Sequence, residues 1–288
     1  MGNEADRRVF AQVCRWQRGD LVLEYGEAGS STAPVLLLLH AIRSTKMLYA
    51  GIIPELAKQY RVIAVDLRGH GGSIREAPYS FEQIVDDLAA WLEGMQIERL
   101  TVVAASFAAV VAQMLAIRFP EKVSGLILLD GGYYRLREVP GFSVEKTADR
   151  LAGTSFSSLA EAERQFSERY GEGGLPAGWM AGELVQAEDG QYRYALPREA
   201  FVGYFQAYST FDKDTLFRGI SCPVLLLLAD EQYTSPQQRP FLRQAAAAYP
   251  EMVKDACVKG IAGAQHLLMV THPRETIREI HAFAKDLS

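Results

Sequence analysis

The sequence predicts an α/β fold: a doubly wound, mostly parallel sheet interrupted by an inserted segment. Three observations carry that prediction. The apolar runs Val35 to Leu39, Leu100 to Ala105, Val123 to Leu129 and Pro223 to Ala229 are too short for helices and read as strands buried on both faces. Segments with helical spacing separate them, the alternation that builds a parallel sheet covered by helices. From Tyr133 to Phe217 the rhythm breaks, with helical patches and many aromatics but no buried-strand run, before strand logic resumes at Pro223.

Taken in order, Arg8 to Trp16 and Leu21 to Tyr25 flank Gln17-Arg18-Gly19-Asp20 and suit a β-hairpin. Gly26 to Pro34 is loop. Val35 to Leu39 forms a strand ending at His40, Met47 to Gln59 a helix, and Arg61 to Val65 a strand ending at Asp66. Residues 66–73, D-L-R-G-H-G-G-S, make a tight loop supplied with glycine. Ser80 with Gln83 is a capping box that opens a helix carrying Ile84, Leu88 and Trp91 inward.

After the strand Leu100 to Ala105 the spacing turns helical at Ser106. Phe107, Val110, Val111, Met114 and Leu115 share one stripe until Phe119-Pro120 stops it. The parallel strand Val123 to Leu129 ends at Asp130, Gly131 and Gly132. Chemistry in α/β sheets gathers at the carboxyl ends of strands, and Ser106 and Asp130 stand at two such ends.

Within the insert, Ser158 with Glu161 starts a helix, and Pro197 to Tyr208 forms another. A helix over Pro236 to Tyr249, a strand near Ala256 to Ile261 and a terminal helix from Pro273 to Lys285 complete the pattern. The expected organisation is a core of residues 1–132 and 218–288, with a helical cap of residues 133–217 inserted after the sixth strand.

Composition excludes several function classes. At 49% hydrophobic and 23% charged residues the chain reads as soluble and globular. A net charge of -5 without any Lys/Arg cluster gives no electrostatic case for nucleic acid. Cys14, Cys222 and Cys257 are odd in number and lack CxxC spacing, so they read as reduced thiols rather than disulfides or a zinc site. The first thirty residues hold no signal-peptide core and no run approaches a membrane span, which makes cytoplasm the expected compartment and leaves no membrane role. No phosphate loop, dinucleotide fingerprint or metal-spaced cluster occurs, so neither cofactor nor metal is expected. Oligomeric state is left open.

Four stretches, in order, resemble the α/β-hydrolase fold family. They are D-L-R-G-H-G-G-S at 66–73, the strand-serine-helix corner at Ser106, R-F-P-E-K-V-S-G-L-I-L-L-D at 118–130, and I-A-G-A-Q-H at 261–266. The likeness covers nearly the whole chain outside the first thirty residues and the insert. It implies a nucleophile on a strained turn whose positions two before and two after are small. Here they are Ala104 and Ala108, where the family usually has glycine. Serine at position 106 sets aside the dehalogenases and epoxide hydrolases of the family, which need aspartate there. Serine also suits a helix N-cap, a role compatible with catalysis.

The resemblance further implies that His266 is the general base, while His40 and His70 match positions that are mostly structural. His272 and His281 read as capping or surface residues. Backbone N–H groups of Phe107 and, by position, Ile42 would form the oxyanion hole, although His40-Ala41 replaces the usual His-Gly. The usual acid position corresponds to Gln232, which cannot hold a charged imidazolium. Asp130 stands where some branches of the family place their acid and is the residue assigned, with Asp230 and Glu231 as alternatives.

The implied activity is that of a serine hydrolase cleaving a carboxylic ester or lactone through an acyl-enzyme. A C–C hydrolase or lyase would use the same triad. A ligand-binding receptor or pseudoenzyme is the rival from another class, favoured by the alanines at 41, 104 and 108 and by Gln232. The insert would roof the site, and His40, Arg43, Tyr133, Trp179, Phe205 and Tyr208 are expected around the pocket. With Tyr134, Phe201 and Tyr204, these aromatics point to an apolar or aromatic small-molecule ester or lactone. Arg43 either meets an anionic or carbonyl group of the substrate or is solvated.

Overall fold

The computed structural model describes residues 4–287. Helix α1 (Glu4–Val9) leads into the hairpin β1 (Gln12–Arg18) and β2 (Leu21–Ala28), then β3 (Val35–Leu39), a 3₁₀ turn (Lys46–Tyr49), α2 (Ile53–Leu56) and β4 (Arg61–Val65). Next come α3 (Phe81–Gly94), β5 (Leu100–Ala105), α4 (Ala108–Arg118) and β6 (Val123–Leu129). The insert holds α5 (Val144–Ala152), β7 (Ser155–Phe156), α6 (Leu159–Tyr170), β8 (Leu184–Gln186), β9 (Tyr192–Tyr194), α7 (Arg198–Thr210) and α8 (Lys213–Gly219). Then follow β10 (Val224–Leu228), α9 (Arg239–Met252), β11 (Ala256–Gly260), α10 (Leu268–Thr271) and α11 (Pro273–Ala284).

Eight strands make one sheet in the order β1-β2-β4-β3-β5-β6-β10-β11. The β1–β2 and β2–β4 pairs are antiparallel and the remainder are parallel. This is the doubly wound, mostly parallel sheet expected from the apolar runs, and it agrees with the fold that the motif resemblance implies. The twofold alternation of a strand sorts each run between two cores. Leu37, Leu39, Val102, Ala104, Leu126 and Leu128 face a layer that includes α3, α4 and α9. Leu36, Leu38, Val103, Ala105, Ile127 and Leu129 face the layer of α2 and α11. Two buried faces explain why these strands carry no polar alternation.

Several boundaries differ from expectation, each for a local reason. The hairpin starts at Gln12 because residues 4–9 are helical, and its turn is only Gly19-Asp20, with Gly19 at φ +59°. The helix expected over Met47 to Gln59 divides into the 3₁₀ turn and α2, since Pro54 has no N–H to extend a helix back to Ala50. The insert expected to be helical carries helices and, in addition, a three-stranded antiparallel sheet in the order β7-β9-β8. Strands of two or three residues are too short to show a period, although Asp189-Gly190 between β8 and β9 is a hairpin signal. Among the described residues no helix is long and apolar enough to cross a membrane.

Candidate active site

The site grows from the ends of β5 and β6. Ser106 follows β5 directly and holds φ +56°, a left-handed conformation that strains any residue with a side chain. The turn is possible because Ala104 and Ala108 are small and fully buried against neighbours. Gly131 completes the corner: a Cβ there would lie 2.3 Å from the Ser106 carbonyl oxygen. The Gly131-Gly132 pair therefore lets β6 end alongside the serine turn.

A continuous relay runs through His266. Ser106 Oγ lies 3.0 Å from His266 Nε2, and His266 Nδ1 lies 2.6 Å from Asp130 Oδ2. An ionised carboxylate only accepts, so the proton sits on Nδ1 and Nε2 presents its lone pair to the serine hydroxyl. The other Asp130 oxygen accepts from Ala229 N–H at 3.0 Å, which fixes the carboxylate from β10.

The two alternative acids are engaged elsewhere. Asp230 accepts from Gly263 N–H at 2.8 Å and Gln232 N–H at 3.0 Å, tying the loop after β10 to the loop that carries His266. Glu231 pairs with Arg243 on the surface.

The loop after β3 is held by residues 66–73. His70 Nε2 accepts from Arg43 N–H at 3.1 Å while its Nδ1 donates to Arg68 O at 2.9 Å. His40 Nε2 accepts from Leu67 N–H at 3.0 Å, and its Nδ1 donates to Ala41 O at 2.8 Å. Burial pushes His40 down to about 4 and His70 down to about 3, so both rings are neutral and serve as fixed braces.

Asp66 accepts from Lys46 N–H at 2.7 Å and from Lys46 Nζ at 2.9 Å. Burial alone would lower the Lys46 ammonium, but the carboxylates of Asp66, Glu24 and Asp6 around it raise it above its ordinary value. Braced in this way, the loop takes a positive φ of 61° at Arg43, next to Ile42. The N–H groups of Ile42 and Phe107 donate to no protein acceptor among the described residues.

Beside Ser106 lies a cavity of about 270 Å³ whose lining includes Ile42, Arg43, Trp179, Phe205 and His266. Three of the six expected pocket residues are elsewhere. His40 is wholly buried by its bracing role. Tyr208 is buried with its hydroxyl accepting from Gly132 N–H at 2.7 Å. Tyr133 faces a separate cavity of about 600 Å³ on the far side of His266, shared with Asp130, Tyr134 and Arg239. Tyr208, on α7, thus braces the corner after β6, while Tyr133 in that corner packs edge-on against Tyr134.

Sequence reasoning missed Arg150, Arg169, Tyr170 and Glu183, which also line the pocket. They lie in polar stretches of the insert whose spacing resembles that of any solvated helix or loop, so no local signal marks them. Ser44 Oγ donates to Glu183 at 2.6 Å, and burial pushes the Glu183 carboxyl up to about 8, with Ser44 and Arg43 opposing the shift. No group of three or more metal-ligating side chains occurs among the described residues.

A sequence model of the alpha/beta hydrolase fold matches residues 34–273. The proline iminopeptidase PfmaB of Pestalotiopsis fici is 33% identical over 158 residues, 48% of this chain and 55% of that protein. The 3-oxoadipate enol-lactonase 2 of Acinetobacter baylyi is 31% identical over 110 residues, 38% of this chain and 41% of that protein. The chain thus spans about half or less of these curated relatives. Among solved structures, an E-2-(acetamidomethylene)succinate hydrolase superposes with TM-score 0.79 at 22% identity, over 95% of this chain and 99% of the other. At that identity the likeness is one of fold.

Proposed function

The chain belongs to the α/β-hydrolase fold family, and from that premise we propose that it is a serine hydrolase acting on a small carboxylic ester or lactone. Ser106 Oγ attacks the carbonyl carbon as His266 Nε2 takes the hydroxyl proton, and Asp130 stabilises the imidazolium that results. The N–H groups of Ile42 and Phe107 receive the negative charge that develops on the carbonyl oxygen. His266 then returns the proton to the leaving oxygen, giving an acyl-enzyme. Water, deprotonated by the same imidazole, attacks the acyl carbon; the proton passes to Ser106 as the acid is released.

The single observation that carries this reading is the unbroken relay from Ser106 through His266 to Asp130, at 3.0 and 2.6 Å. A receptor that only binds a ligand has no need of a serine hydroxyl, a correctly tautomerised imidazole and a carboxylate in one line. The enol-lactonase among the relatives supports a lactone or ester carbonyl as the electrophile. The insert, residues 133–217, acts as the cap over the pocket, since it contributes Trp179 and Phe205 to the lining.

The test is labelling by a fluorophosphonate. Wild type is expected to react stoichiometrically at Ser106, and Ser106→Ala is expected not to react. A wild-type protein that stays unlabelled while folded contradicts the reading.

A further inference from the structure

Resting on that reading, we propose that the substrate carries a carboxylate, bound by Arg43, Arg150 and Arg169 at the mouth of the Ser106 cavity. All three arginines line that one cavity. They arrive from three separate places: the loop after β3, helix α5 and helix α6. None forms an ion pair among the described residues, whereas arginines close by in sequence do. Arg164 on α6 pairs with Glu168 at 2.5 Å. Asp149, the residue before Arg150, is taken by Arg198 at 2.7 Å.

Aromatic faces hold two of the three guanidinium groups instead. Arg43 Cζ lies 5.0 Å from the Tyr194 ring centre, and Arg169 Cζ lies 5.0 Å from that of Tyr170. A cation over a ring is stationed by its face and keeps the N–H groups at its edge available to an acceptor. Glu183 is the one carboxyl group lining this cavity among the described residues. Burial pushes it up to about 8, so near neutrality it is protonated and does not cancel the arginine charge.

Three like charges around a cavity of about 270 Å³ repel one another in the free protein. A ligand carboxylate removes that cost and matches the guanidinium fork with two parallel hydrogen bonds. The cavity volume suits a substrate of a few carbons, so the anion and the scissile carbonyl belong to one small molecule, such as a monoester of a short diacid or a small lactone that bears a carboxylate. Because α5 and α6 belong to the insert while Arg43 belongs to the core, the same anion would bridge the two across the pocket.

The binding test needs no turnover. In Ser106→Ala protein, calorimetry should show glutarate binding at least about tenfold tighter than its uncharged analogue glutaramide. Arg150→Gln and Arg169→Gln should each weaken glutarate by about tenfold or more, and Arg164→Gln should not. Added salt should weaken glutarate and leave glutaramide unaffected.

In active enzyme, the preference for methyl hydrogen glutarate over dimethyl glutarate should fall by a similar factor in the two arginine variants. Equal affinity for glutarate and glutaramide, or arginine variants that bind glutarate like wild type, overturns the proposal. Inorganic phosphate binding in place of glutarate overturns the assignment of carboxylate. Failure of fluorophosphonate labelling would sink the hydrolase reading alone, because the calorimetric arm decides the anion site independently.

Discussion

At the scale of single residues, the proposed chemistry depends on where one proton sits. Asp130 accepts from His266 Nδ1, which leaves Nε2 free to take the Ser106 proton. An amide in place of the carboxylate can offer its NH₂ group to Nδ1 and so favour the wrong tautomer. The corresponding change in serine proteases lowers turnover by about four orders of magnitude. Asp130→Asn is therefore expected to lower kcat by about three to four orders, and Ser106→Ala and His266→Ala by at least as much, since such groups act as a unit. Glu231→Gln, whose carboxylate pairs with Arg243 at the surface, should leave kcat unchanged. Steady-state kinetics on the best ester, with circular dichroism as the folding control, checks all four. A loss in Glu231→Gln equal to that in Asp130→Asn would move the acid to the β10 turn.

At the scale of elements, the junction between the 3₁₀ turn Trp179–Gly182 and β8 is docked on the core by Glu183 and Ser44. Arg43 and Asp66 are the charged groups that also act on this carboxyl, in opposite directions. The unfolded chain ionises Glu183 near its ordinary value of 4.5, whereas the folded protein holds the proton to about 8. Between those values the folded state binds the extra proton, so this group's contribution makes stability fall as pH rises, and the fall levels off above about 8. Glu183→Gln should remove that part of the slope. Denaturant midpoints measured at intervals across the window, for wild type and variant, give the two slopes. Parallel slopes would mean that Glu183 ionises normally in the folded protein.

At the scale of the whole molecule, the insert divides into side chains that face the pocket and side chains that hold it to the core. Phe205 lines the cavity. Tyr208, less than one helical turn further along α7, instead accepts from Gly132 N–H and is 3% exposed. Phe205→Ala is expected to change the ranking of ester substrates, whereas Tyr208→Ala should destabilise by about 3–5 kcal/mol with the ranking unchanged among folded molecules. Melting curves paired with a substrate panel separate the two; equal loss of stability and equal ranking in both variants would refute the division. The sheet was legible in the chain alone, because short apolar runs buried on both faces, glycine at tight turns and proline at helix ends are local signals. It also brought Ser106 and Asp130 to strand ends, since right-handed winding places consecutive parallel strands side by side. Tertiary structure alone decided which of Asp130, Asp230 and Glu231 meets His266, a matter of side-chain reach between loops 136 residues apart in sequence. It alone decided, too, that Arg150, Arg169 and Glu183 surround the pocket while His40 and Tyr208 do not. A polar residue on a short helix reads the same in sequence whether it faces solvent or a cavity, and only the packing of the insert on the core tells them apart.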